Sequence, residues 1–144
     1  QELRDSNIST LPIVQVSRSL TKEKGTIRGM HFQTKPFEEN KIVQCLKGSI
    51  YDVVLDLRRD SSTFRQWFSK KLNQDGNETI FVPKGCAHGF QTLESDCEVL
   101  YFMSEYYRAK HASGVCWNDT YFDIKWPIDN VSLSDTDSSW PLFQ

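Results

Sequence analysis

No stretch of this 144-residue chain keeps a 3.6-residue hydrophobic period through three helical turns. What recurs instead is a short run rich in Val, Ile, Leu or aromatic residues, closed by Gly, Pro, Asn or Asp. Such runs fall at residues 13–16, 28–33, 41–46, 50–58, 64–72, 79–82, 89–93 and 97–103. Many short strands at regular spacing build a barrel or a double-sheet jelly roll, so the chain is expected to be all-β. Its length predicts a single domain over residues 1–144. The run at 50–58 is the strongest strand and alternates only partly. Lys47-Gly48 separates it from the run at 41–46, which predicts a hairpin there. Residues 18–24 are polar and read as a connection, and after Tyr106-Tyr107 the pattern loosens into a Ser- and Asp-rich tail.

Composition narrows the function. Nine Phe, five Tyr and four Trp give the chain material for a real core. A net charge of −2 offers no basis for binding nucleic acid or an anionic membrane surface. No apolar run approaches the ~18 residues of a membrane span. The four cysteines, Cys45, Cys86, Cys97 and Cys116, form no C-x-x-C pair and read as free thiols, which points to a cytoplasmic location. The sequons at Asn7, Asn77, Asn118 and Asn130 are then coincidental.

One strand carries unusual chemistry. Arg28, His31 and Gln33 lie within Gly25-Thr26-Ile27-Arg28-Gly29-Met30-His31-Phe32-Gln33. Residues two apart in a strand share a face, so His31 and Gln33 point the same way. A bulge at Gly29 would bring Arg28 to that side as well. A cation, an imidazole and an amide on one face suit a polar, anionic small molecule.

Two segments resemble the paired motifs of the cupin superfamily: Gly25-x5-His31 running on to Gly48, and Pro83-Lys84-Gly85-Cys86-Ala87-His88. The resemblance implies a cupin-type double-stranded jelly roll. In metal-binding cupins a second His and a later Glu complete the first motif. Here Gln33 holds the His position and the region of the Glu leads to Lys41, a poor pair of ligands for a divalent ion. No metal is expected, and Lys41 is expected to supply the positive charge in its place.

A closer resemblance is to the dTDP-4-dehydrorhamnose 3,5-epimerase family. It rests on Arg28-Gly29-Met30-His31-Phe32-Gln33, Lys41-Ile42-Val43, the segment from Gly48 to Arg58, Ala87-His88-Gly89-Phe90-x-Thr92-Leu93, Trp126-Pro127 and Leu133-Ser134-x-x-Asp137, in family order. It implies inversion at carbons flanking the C4 ketone of a nucleotide-linked 4-keto-6-deoxy sugar, with no cofactor. Such a reaction needs a base, an enolate stabiliser and an acid on the opposite face. By resemblance His31 is the base, Asp137 its carboxylate partner, Tyr101 the proton donor and Lys41 the group beside the C4 oxygen. Arg28 suits the pyrophosphate. Gln15, Gln33, His88 and Tyr107 align with substrate-contacting positions, and Asp52 is expected to hold His88 or Lys41.

The family's upstream strand, with an Arg, a Glu and aromatic residues, has no counterpart in residues 1–10. A glutamate expected near Lys110 is absent, and Thr136 stands where a lysine is common. The catalytic set therefore looks complete while nucleotide recognition is thinned. The same residues also fit a ketoisomerase moving the carbonyl between C4 and C3, or a sugar-nucleotide-binding module without turnover. The partners implied are a nucleoside-diphosphate sugar and a second copy in a homodimer.

Overall fold

A computed structural model describes residues 10–144. The expectation for the upstream segment falls on residues 1–10, of which 1–9 lie outside the described residues. Two antiparallel sheets face each other. One has the order β1-β8-β3-β6 and the other β5-β4-β7-β2-β9. In chain order these are β1 (Gln15–Thr21), β2 (Ile27–Gln33), β3 (Lys41–Lys47), β4 (Ser49–Asp56), β5 (Trp67–Asn73), β6 (Ile80–Val82), β7 (Cys86–Thr92), β8 (Cys97–Met103) and β9 (Ala112–Gly114). A single helical turn, α1 (Asp135–Ser138), lies in the tail. This is the all-β double-sheet jelly roll anticipated from the sequence.

The strands sort their side chains by parity. Ile50, Val43, Cys45, Cys86, Phe90, Cys97 and Val99 fill one end of the space between the sheets. Val53, Leu55, Ala87 and Met30 point to the opposite side of the five-stranded sheet, under Val115, Phe122 and Ile124 from the C-terminal segment. That second covering layer explains the partial alternation of β4, which is buried on both faces. All four cysteines are free. Among the described residues, no helix is long and apolar enough to cross a membrane.

Several sequence-based expectations need correction. Lys47-Gly48 does not close a hairpin, because β3 pairs with β6 and β8 while β4 pairs with β5 and β7. Gly48 is instead the corner where the chain passes from one sheet to the other. Its φ is +75°, and a Cβ there would lie 2.7 Å from Cys97 Sγ, so the crossing requires glycine.

The first strand is not 13–16 with a polar connection after it, but Gln15–Thr21. Its inward residues, Gln15, Ser17 and Ser19, are polar because they face a cavity rather than the core, while Val16 and Leu20 face out. Strand β5 starts at Trp67 rather than at 64, since Arg65 takes a positive φ of 71° in the turn before it. Strand β7 begins three residues earlier than expected, so His88 lies inside it.

Candidate active site

The bulge in β2 decides which groups meet. Arg28 pairs with Phe90 of β7 and His31 with His88, so two residues of β2, Gly29 and Met30, stand against one of β7, Gly89. The extra residue puts Arg28 and His31 on the same inner face. Gly29 makes this possible: its φ is +144°, and a Cβ would come within 2.6 Å of the Gly89 Cα on β7.

The tail supplies the acid. Ile27 N–H donates to Ser132 O (2.9 Å), which straps the tail beside the start of β2. Ser134 then caps α1, its hydroxyl accepting from Asp137 N–H at 3.1 Å. Asp137 is thereby held, buried, with Oδ1 at 2.5 Å from His31 Nε2. The indole Nε1–H of Trp140 donates to the same oxygen at 3.2 Å. Burial pushes the Asp137 carboxyl up, but the bond from His31, its charge, Trp140 and Ser134 together hold it below the usual carboxylate value.

A second His–Asp pair lies deeper. His88 Nε2 is 2.8 Å from Asp52 Oδ2, with Asp52 fully buried on β4. Of the two partners expected for Asp52, the structure gives His88; Lys41 is held elsewhere. The His88 ring stands edge-on to Tyr101 of β8, centroids 6.2 Å apart. Burial raises the Tyr101 phenol far above its ordinary value; Ser19 and Arg28 oppose that and the charges of Asp52 and Asp137 add to it. A phenol so placed keeps its proton at neutral pH.

Lys41 Nζ contacts Glu39 Oε1 at 2.9 Å, and Glu39 Oε2 accepts from Gln33 Nε2 at 3.1 Å. The Gln33 amide also donates to the carbonyls of Phe37 and Tyr106 and accepts from Arg108 N–H, so it pins the loops on either side of the site. Arg28 is braced from β1, its Nε donating to Thr21 Oγ1 at 2.7 Å. Gln15 Oε1 accepts from Tyr107 N–H at 2.8 Å at the rim, where the Tyr107 side chain is 60% exposed.

These groups converge on one cavity of about 640 Å³ between the sheets. Arg28, His31, Gln33 and His88 come from the five-stranded sheet, and Gln15, Lys41 and Tyr101 from the four-stranded one, with Tyr107 at the rim. Asp137 stands behind His31 rather than on the cavity wall. Among the described residues, no group of three or more His, Cys, Asp and Glu side chains is placed to hold a metal ion. In the first cupin-like motif the Gln33 amide and the Lys41 ammonium both turn to Glu39.

Glu39 and Trp140 were not singled out from the sequence, and both line the cavity. Glu39 lies two residues before Lys41, the same-face spacing of an extended chain. Trp140 lies three after Asp137, one helical turn on. Those spacings were the available signals.

Two facing antiparallel sheets with a polar, titratable cavity between them define a cupin-type jelly roll. A family model described as dTDP-4-dehydrorhamnose 3,5-epimerase matches residues 1–144. A dTDP-4-dehydrorhamnose 3,5-epimerase of Sinorhizobium fredii is 40% identical over 136 residues, covering 94% of this chain and 70% of that protein. The crystal structure of the Bacillus anthracis dTDP-4-dehydrorhamnose 3,5-epimerase with TDP and PPi bound superposes with a TM-score of 0.94 at 45% identity, covering 99% of this chain and 81% of that one. A Legionella pneumophila dTDP-6-deoxy-D-glucose-3,5-epimerase in complex with dTDP-4-keto-L-rhamnose gives 0.89 at 32%, covering 99% and 76%. The chain belongs to the dTDP-4-dehydrorhamnose 3,5-epimerase family, whose named members are isomerases.

Proposed function

We propose that this chain inverts C3, C5 or both in a nucleotide-linked 4-keto-6-deoxy sugar, without a cofactor. The observation that carries the reading is the placement of His31, backed by Asp137, and Tyr101 on opposite sheets across one cavity. The relatives' complexes with TDP and with dTDP-4-keto-L-rhamnose support a thymidine-linked substrate.

In this reading Arg28 binds the pyrophosphate and the keto-sugar ring lies between the sheets. His31 removes the proton α to the C4 ketone through the ring nitrogen that Asp137 does not hold. The carboxylate fixes the tautomer and steadies the imidazolium that forms. The electron pair moves into an enolate whose oxygen faces the Lys41 ammonium. Tyr101, protonated at neutral pH, returns a proton to the same carbon from the other face, and the configuration inverts. His88 orients Tyr101, and the Asp52 pair fixes His88. Gln15 and Tyr107 contact the nucleotide end at the rim.

NMR of the product from a dTDP-4-keto-6-deoxy-hexose tests this against ketoisomerisation. Inverted stereocentres with the carbonyl still at C4 are expected; a carbonyl relocated to C3 would contradict the proposal.

A homodimer is part of the same proposal. The outer face of the four-stranded sheet carries Val16 and Leu20 of β1 at 56% and 51% exposure, Leu46 of β3 is exposed as well, and among the described residues β1 is an edge of that sheet. An apolar face and an open edge of this kind favour pairing. Light scattering is expected to give twice 16.7 kDa, and a monomeric mass at micromolar concentration would refute it. Free thiols support a cytoplasmic location.

A further inference from the structure

Trp140 does two things at the end of the cavity that holds His31. Its indole N–H reaches Asp137 Oδ1, the oxygen that already accepts from His31, and its ring stands edge-on to the imidazole with centroids 6.0 Å apart and planes at 73°. The fold reserves space for it. In the pairing of β2 with β9, the residue directly opposite His31 is Gly114. A Cβ on Gly114 would fall 2.5 Å from the indole Cδ2 and 2.7 Å from Cε2, so any side chain at that place would evict the ring.

We infer that Trp140 is a positioning residue for the His31–Asp137 pair, its N–H locating the carboxylate oxygen and its ring walling the imidazole. The inference rests on the proposed role of His31 as base. Its physical logic is that an indole N–H does not ionise in the working range, so it donates to Oδ1 whichever protonation state the imidazole is in. As His31 gains and loses a proton, the carboxylate keeps one constant partner and does not swing. A hydrogen bond to a charged group is also among the stronger kinds.

The donor enters the electrostatics of the acid too. Burial raises the Asp137 carboxyl, and Trp140 is one of the groups that bring it down, with His31 and Ser134. The other charged or titratable groups around it are Lys22, Glu23 and Arg28, which line the groove on the outer side, and Tyr101 across the cavity.

Trp140→Phe in the full chain keeps an aromatic ring at this place and removes the N–H donor. Two readouts are expected to move. The ¹³C-detected titration of the Asp137 carboxyl, assigned with Asp137→Asn, shifts to higher pH. In turnover, kcat falls about fivefold or more with KM within about twofold, and the acidic limb of the pH–rate profile, which belongs to the His31–Asp137 pair as a unit, moves up with the carboxyl. An unshifted carboxyl titration in folded Trp140→Phe overturns the inference.

A measurement on the unaltered chain guards against a variant that does not fold. The Trp140 indole N–H resonance is expected to titrate together with the Asp137 carboxyl, and a resonance indifferent to that titration overturns the inference equally. An unaltered chain that exchanges no substrate proton refutes the proposed function instead, and the two NMR titrations still decide the place of Trp140.

Discussion

Arg28 and His31 are three residues apart in one strand, yet both face the same cavity, because between them two residues of β2 are set against one of β7. A regular pleat would have sent one of them into the layer that holds Met30. The bulge is therefore the local feature that assembles a candidate anion-binding group and a candidate base on one wall. It depends on Gly29, at φ +144° with its missing Cβ 2.6 Å from the Gly89 Cα.

Gly29→Ala is accordingly expected to destabilise the fold by about 1–3 kcal/mol and to lower activity beyond that loss. Urea unfolding gives the first quantity and turnover of the folded fraction the second. A variant with unchanged midpoint and activity would show that the bulge does not need glycine.

His31→Ala and Tyr101→Phe should each reduce kcat by ~10² or more, the usual worth of a general base or acid. Asp137→Asn should do the same by releasing the tautomer. Its effect on pH dependence has a definite sign. The carboxyl is held below its ordinary value, so Asp137 stays ionised through the neutral range and is lost as a partner only when pH falls through its depressed value. The stability it contributes follows the same course, present above the unfolded carboxyl value and lost as pH falls through the folded one. Paired pH–rate and pH–unfolding curves check both.

Lys41 and Glu39 form a nearly buried pair, with side-chain exposures of 11% and 7%. Lys41→Met leaves the carboxylate without its cation, which should cost about 3–5 kcal/mol of stability, and kcat should drop by ~10². Adding Glu39→Gln is expected to restore most of the stability and none of the activity. A double variant that recovers turnover would remove Lys41 from the reaction.

A separate acid-sensitive element lies at the far end of β4. The Arg58 guanidinium beside Asp56 holds its carboxyl well below the usual range, helped by the hydroxyls of Ser61 and Thr63 and by the Arg58 N–H against the effect of burial. The sign follows: stability from Asp56 is complete above an ordinary carboxylate pKa of about 4 and is lost as pH falls below it. Asp56→Asn should lower the unfolding midpoint at pH 7 and flatten its decline between about pH 4 and 2. Equal slopes in the two proteins would contradict this.

Strands β3, β4 and β8 were legible nearly to the residue, because they are rich in Val, Ile and Leu and their turns carry Gly, Asn or Asp. Strand β1 was not, for the reason that makes it interesting: Gln15, Ser17 and Ser19 face a cavity, so the hydrophobic alternation is inverted and Val16 and Leu20 point outward. The turn at Gly48 has the composition of a hairpin, and nothing local says that its strands part into different sheets. At the site, residues inside recognisable motifs could be named in advance. Glu39 stood in an apparent loop and Trp140 in a loose tail, and only the folded chain brings them to Lys41 and Asp137.

In the proposed reaction His31 removes the substrate proton, and incubation with a dTDP-4-keto-6-deoxy-hexose in heavy water, followed by NMR, reads that step. Deuterium should enter at C3, C5 or both with the unaltered chain, and wash-in should slow by ~10² or more in His31→Ala. Wash-in at the unaltered rate in that variant, with the fold intact, would remove His31 from the role of base.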